Sequence, residues 1–186
     1  TGTLSLAVSP VASGQATAPP PGELRVAACQ ILTFPDTRKS TEKICDWIGK
    51  AARGKADVVL FPEAAVCGYA ADPAYWKTAN PSDFEAAESA ITAEARRLHI
   101  AVILGTAHWE DGKVHNSVLA IDKDGRAKGR YSKTFLAEPW PVPGRRLPVW
   151  SIAGVRSSFI ICHDIRYPEL VRLPAAAGAQ ICYYAS

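Results

Sequence analysis

A chain of 186 residues, 48% hydrophobic and 21% charged with a net charge of +3, fits one globular domain with a tail. The basic residues fall in ones and twos, such as Arg96-Arg97 and Arg145-Arg146, too scattered for a nucleic-acid surface. No apolar run has the length needed to cross a bilayer.

Residues 1–22 carry no charge and end in three prolines and a glycine, which predicts a disordered leader or linker. The Leu/Ala/Val start and the triplet Ala16-Thr17-Ala18 are similar to the tail of an export signal, but a basic n-region is missing and Pro19 follows. The reading is a cytoplasmic chain, with an exported or periplasmic location as the alternative if this segment is a signal remnant. A single domain is expected over 23–186.

From Leu24 the apolar pattern becomes regular. "LRVAACQIL" reads as a buried strand, and Ile44, Trp47, Ile48, Ala51 and Ala52 repeat at helical spacing, predicting a helix over about 40–53. "DVVLFPE" is a second buried strand, stopped by Pro62. Pro81-Ser82-Asp83-Phe84-Glu85 opens a helix, with Ser82 and Glu85 at the spacing of a capping box and Phe84, Ala87, Ile91, Ala95 and Leu98 as its stripe. "IAVILGTAHW", "KVHNSVLAID" and "AKGRYSK" are strands separated by the turn signals Asp111-Gly112 and Asp124-Gly125. Strands over 148–153 and 155–162, a short helix after Pro168 and a strand "QICYYA" complete the series. Helices between early strands and hairpins afterwards predict a layered α/β protein.

Five cysteines, an odd number without CxxC spacing, predict free thiols. Four histidines (99, 108, 115 and 163) form no HExxH or similar pattern, so no metal site is expected. Cys29, Cys45 and Cys182 lie in apolar segments and read as core residues, whereas Cys67 sits in a loop after Glu63. Cys162 differs, because it falls where a buried strand meets the polar turn "HDIRYPEL". Functional groups gather at such strand ends in α/β proteins. A nucleophilic cysteine needs a base and an oxyanion stabiliser. On an extended chain the adjacent His163 points to the opposite face, so partners are sought at other strand ends. Glu63 after "LFP" and Lys133 closing "GRYSK" qualify. Asp164, Arg166 and Glu169 read as a local ion-pair network holding the turn.

"VVLFPEAAVCGY", "GRYSKTFL" and "CHDIRYPEL", in that order, resemble the carbon–nitrogen hydrolase (nitrilase) superfamily from about Leu24 onward. The resemblance implies an αββα sandwich, here lacking its C-terminal strands and helix, and homo-oligomers of the complete domain. It implies Glu63 as general base, Lys133 as oxyanion-stabilising cation, Cys162 as nucleophile, and Glu138, ahead of "PWPVPG", as a second carboxylate. Tyr69 and His163 are candidates for lining the substrate pocket. "CHD" is similar to the amidase and carbamoylase branches, which implies a small linear amide or N-carbamoyl substrate cleaved through a thioester, without metal or organic cofactor. Two alternatives stay open: a non-catalytic fragment or binding module of the same fold, and a Cys-His peptidase using His108 or His115.

Overall fold

The computed structural model describes residues 22–70 and 72–186; apart from Gly22, the segment read as a leader lies outside the described residues. β1 (Val26–Ala28), β2 (Val58–Leu60), β3 (Ala101–Glu110), β4 (Lys113–Ile121) and β5 (Ala127–Ser132) form one sheet in chain order. β1, β2 and β3 run parallel, and β3, β4 and β5 antiparallel. β6 (Trp150–Ile152), β7 (Val155–Ile161) and β8 (Ile181–Ala185) form a second sheet, with β7 and β8 parallel. Parallel neighbours need a crossover, and helices supply it. These are α1 (Thr37–Arg53), α2 (Pro73–Thr78) and α3 (Pro81–Leu98) in the first sheet, and α4 (Glu169–Ala176) between β7 and β8.

Residue alternation along the strands builds two cores. Val59, Val102, Leu104, Leu119 and Ile121 meet Ile44 and Ile48 of α1 and Ile91 and Ala95 of α3. Their neighbours Val58, Ala101, Ile103, Val118, Ala120 and Tyr131 instead meet Ile152, Phe159, Ile161, Tyr183 and Ala185 of the second sheet. A strand buried on both faces reads as a continuous apolar run, as "AVIL" in β3 does. With α4 against β7, the layers run helix, sheet, sheet, helix.

Several boundaries differ from the sequence reading. β1 keeps only three of its nine expected residues. α1 starts at Thr37, because Asp36 caps it by accepting from the Lys39 N–H at 3.0 Å. The α3 cap is Asn80, not Ser82. Its side chain accepts from the Ser82 N–H and hydroxyl, and Pro81 occupies the first helical position, where a missing N–H costs nothing. The Asp111-Gly112 turn has both φ values positive, 50° and 71°, as a two-residue hairpin of the favoured hand requires. That turn sets the β3–β4 register, pairing Ala107 with Asn116 and His108 with His115.

Candidate active site

Glu63 follows β2 in a tight turn that lies against β3. The Phe61 N–H donates to Ile103 O at 2.9 Å, and the Val66 N–H to Gly105 O at 3.3 Å. Gly105 makes this approach possible, since a Cβ there would stand 1.9 Å from the Pro62 carbonyl oxygen. The turn forces Ala64 to φ 52°, a left-handed conformation unusual for alanine. It also buries the Glu63 side chain, which a loop carboxylate on the surface would not be.

Lys133 closes β5 and is fully buried. Its N–H donates to Asn116 O on β4, and its own carbonyl accepts from Gly144 N–H, so the backbone is held on both sides. Its ammonium donates to Glu63 Oε1 at 2.8 Å and to Glu138 Oε1 at 2.5 Å. Asn116 Nδ2 adds a second donor to Glu63 Oε1, at 2.7 Å. Glu138 accepts from Tyr69 OH at 3.2 Å through Oε1 and from the Ala137 N–H through Oε2. The loop carrying Glu138 is anchored by Val142 N–H donating to Val114 O and by Trp140, which stacks on Trp76 of α2 at 3.8 Å. α2 thus has a place in the site's framework. Its six residues are too few for a periodicity signal, although Asp72-Pro73 is a helix start in hindsight.

Cys162 begins a 3₁₀ turn (Cys162–Arg166) directly after β7, with φ 42°. A cysteine held in that region stores about 1–3 kcal/mol of backbone strain, a feature that concentrates at functional sites. The charges of Glu63 and Lys133 both act on its thiol, which puts the three groups within electrostatic reach of one another. The structure therefore brings Glu63, Lys133, Glu138 and Cys162 to one place, with Tyr69 on its rim, half exposed. The extended-chain geometry invoked for His163 does not apply, because the strand ends at Ile161. His163 is half-buried and meets Tyr167 edge-on at 5.8 Å.

The electrostatics divide the two carboxylates. Burial raises the Glu63 pKa, and the hydrogen bonds and charge of Lys133 and the hydrogen bond of Asn116 only partly offset it. Burial acts on Glu138 in the same sense, but there the hydrogen bond and charge of Lys133 prevail and hold it below the usual carboxylate range. For Lys133 burial alone would lower the pKa; hydrogen bonds and charge from both carboxylates outweigh it and keep the ammonium charged. Burial and the Glu63 charge raise the Cys162 thiol, with Lys133 opposing, so the resting group is a thiol at neutral pH. Burial pushes Cys67 up to about 12 and seals it in the core, so its loop position did not signify exposure.

Asp164 is the residue whose role the sequence reading misassigned. Among the described residues it makes no ion pair with Arg166 or any other side chain. It is instead fully buried and accepts four hydrogen bonds. Tyr131 OH (2.7 Å) and the Ile161 N–H (3.0 Å) donate to Oδ2, and the N–H groups of Thr134 (3.2 Å) and Phe135 (2.9 Å) donate to Oδ1. One carboxylate therefore ties the Lys133 loop to the Cys162 turn, reinforced by Phe135 stacking on Tyr167 at 3.5 Å. Replacing Asp164 with alanine strands these donors in the interior, and each buried unpaired group costs about 1–3 kcal/mol. With partial relaxation we expect a loss of roughly 3 kcal/mol, read as a lower urea midpoint at unchanged slope.

A two-sheet α/β sandwich with carboxylate, ammonium and thiol converging at its strand ends defines the class of architecture. The carbon–nitrogen hydrolase family model matches residues 25–186, and the chain belongs to that family. It is 33% identical over 162 residues to a formamidase of Bradyrhizobium sp. (strain ORS 278), covering 81% of this chain and 46% of that protein. It is 30% identical over 152 residues to an (R)-stereoselective amidase of Pseudomonas sp., covering 78% and 53%. A solved amidase of Nesterenkonia sp. AN1 superposes with a TM-score of 0.80 at 27% identity, covering 87% of this chain and 64% of that one. That structure shows the acetamide moiety of fluoroacetamide added covalently at its active-site cysteine. The chain thus spans about half the length of these two curated relatives.

Proposed function

We propose that the protein hydrolyses the non-peptide C–N bond of a small linear amide or N-carbamoyl compound through a cysteine thioester. The observation that carries this reading is one buried ammonium donating to two carboxylates, whose pKa values are displaced in opposite directions, with the Cys162 thiol within reach of the charges of Glu63 and Lys133. Groups whose environments push their pKa values apart are the mark of divided acid–base roles. The amide-hydrolysing relatives support the substrate class.

Glu63, the carboxylate with the raised pKa, takes the thiol proton as sulfur bonds to the carbonyl carbon. The π electrons move to oxygen, and the oxyanion forms within reach of Lys133. The site's net charge is the same before and after this step; one negative charge migrates from Glu63 to the substrate oxygen past a fixed cation. Such preorganised stabilisation requires no rearrangement of charge at the moment of reaction. Glu138, ionised throughout, keeps Lys133 charged and aimed. Collapse breaks the C–N bond, and Glu63 passes its proton to nitrogen, releasing ammonia or amine. Glu63 then takes a proton from water, whose oxygen attacks the thioester; collapse breaks the C–S bond, Glu63 returns the proton to the Cys162 sulfur, and the acid departs. The exposed apolar side chains Ile165, Leu173 and Tyr184 around the turn, α4 and β8 support a homo-oligomer that buries this side.

Ammonia release from a panel of aliphatic amides, N-carbamoyl compounds and nitriles tests the assignment; turnover of nitriles alone overturns the substrate class. Because Glu63 must be ionised, kcat/KM falls as pH drops through its raised pKa. The acid limb is expected above the range of an ordinary carboxylate. Glu63→Gln removes that limb together with at least about 100-fold of the rate, the low end for general acid–base catalysis.

A further inference from the structure

On the first sheet, the two-residue turn at Asp111-Gly112 places His108 of β3 directly opposite His115 of β4. Glu110, two residues beyond His108, projects from the same face of the strand. One nitrogen of each histidine and one carboxylate oxygen of Glu110 all lie within 4.8 Å of one another. The sequence shows no ligand pattern here, because the triad exists only through cross-strand pairing.

Two details of the hydrogen bonding set this cluster apart from an ordinary polar face. Ser117 Oγ lies 2.7 Å from His108 Nδ1 and 3.3 Å from His115 O; when its one hydrogen goes to that carbonyl, it accepts from His108 Nδ1–H. In that tautomer the His108 Nε2 lone pair is available, the arrangement that outer hydrogen bonds impose on metal-binding histidines. His115 is 8% exposed, and its Nδ1 is buried with no hydrogen-bond partner. Its Nε2 approaches Glu110 Oε2 only to 3.8 Å, beyond hydrogen-bond length. Arg130, whose charge reaches His108, is held by a two-pronged ion pair with Glu88, and Lys113 stands directly opposite Glu110 in the hairpin.

We propose that His108, Glu110 and His115 form a binding site for a divalent transition-metal ion of the zinc class, on the hairpin that carries Asn116. Two imidazoles and one carboxylate are a donor set suited to such ions, with the fourth tetrahedral position open to water. Bond lengths near 2.0–2.2 Å place tetrahedral ligand atoms about 3.3 Å apart. The two rings stack at 4.9 Å with planes 20° apart, so ligation needs one imidazole to turn as well as closure by the Glu110 side chain, which is 70% exposed. Asn116, the next residue after His115, donates to Glu63. An ion here would therefore clamp the hairpin end that holds the proposed base.

The test is Co²⁺ titration of the untagged Cys162→Ala chain, followed by visible ligand-field absorption. One equivalent is expected, without the intense sulfur-to-metal absorption of thiolate ligation. His108→Ala with His115→Ala abolishes the signal. Glu110→Gln, at an exposed side chain that the fold does not need, lowers affinity at least about ten-fold. Ser117→Ala lowers it by a similar factor, since losing an outer hydrogen-bond partner alone costs about 10–100-fold. Absence of binding, thiolate absorption, or unchanged affinity in Glu110→Gln overturns the proposal.

Discussion

Replacing Cys162 with alanine is expected to reduce amide turnover to the background rate while the far-UV circular dichroism and urea midpoint stay close to those of the parent. The thiol is proposed to form the only covalent bond to substrate, and no other cysteine can substitute for it. Cys67 is sealed in the core, Cys29 and Cys45 are pushed up to about 11 by burial, and burial also raises Cys182, on β8. The fold should tolerate the change, because Cys162 contributes a half-buried side chain at the margin of the inter-sheet core. Glycine at the same position separates strain from chemistry. It accepts φ 42° without penalty, so Cys162→Gly is expected to be equally inactive yet more stable than the alanine variant by about 1 kcal/mol. Iodoacetamide supplies the complementary reading: Cys162 is labelled ahead of the other four thiols, and Glu63→Gln slows that labelling. Retained turnover in Cys162→Ala would remove the cysteine from the mechanism.

Lys133→Met carries the second large effect, and it falls on both stability and activity. Glu63 and Glu138 each accept a hydrogen bond from this ammonium, and both are buried. Without it, two carboxylates face each other in the interior. Breaking a buried ion pair by removing one partner costs about 3–5 kcal/mol. The deficit depends on pH with a definite sign. In the variant, burial and mutual repulsion raise both folded-state pKa values above those of the unfolded chain. The folded protein then binds more protons than the unfolded one between those values. Its stability therefore falls as pH rises through that window and recovers toward acid. Urea denaturation at several pH values should show the gap from the parent widening with pH. Adding Glu138→Gln should return part of the stability and none of the turnover. A gap independent of pH would mean that the ammonium does not neutralise these groups.

The Glu63–Lys133 and Asp164 contacts also mark the boundary between what was readable in the chain and what was not. β3 and β4 were legible because an apolar run and an Asp-Gly turn are local signals, each decided within a few residues. The α3 start at Pro81 is legible too, but its cap is not: Ser82 and Glu85 have the capping-box spacing, whereas Asn80, two residues earlier, caps the helix with Pro81 at its first position. Glu63, Lys133 and Cys162 could be singled out as strand-end residues of chemically apt type. Asp164 could not, because a carboxylate two residues from Arg166 reads as part of a local ion-pair network. Only its burial against Tyr131, Thr134 and Phe135 reveals it as a tie between two loops.

Sequence alone determined the alternation that makes the strands, the turns that join them, and the order in which a carboxylate, a lysine and a cysteine reach strand ends. Those properties depend on neighbours along the chain. The tertiary structure decided the rest: which carboxylate is raised and which lowered, that one ammonium serves both, and that two histidines meet across a hairpin. These depend on burial and on distances between segments as many as 70 residues apart, quantities that no local pattern of residues encodes.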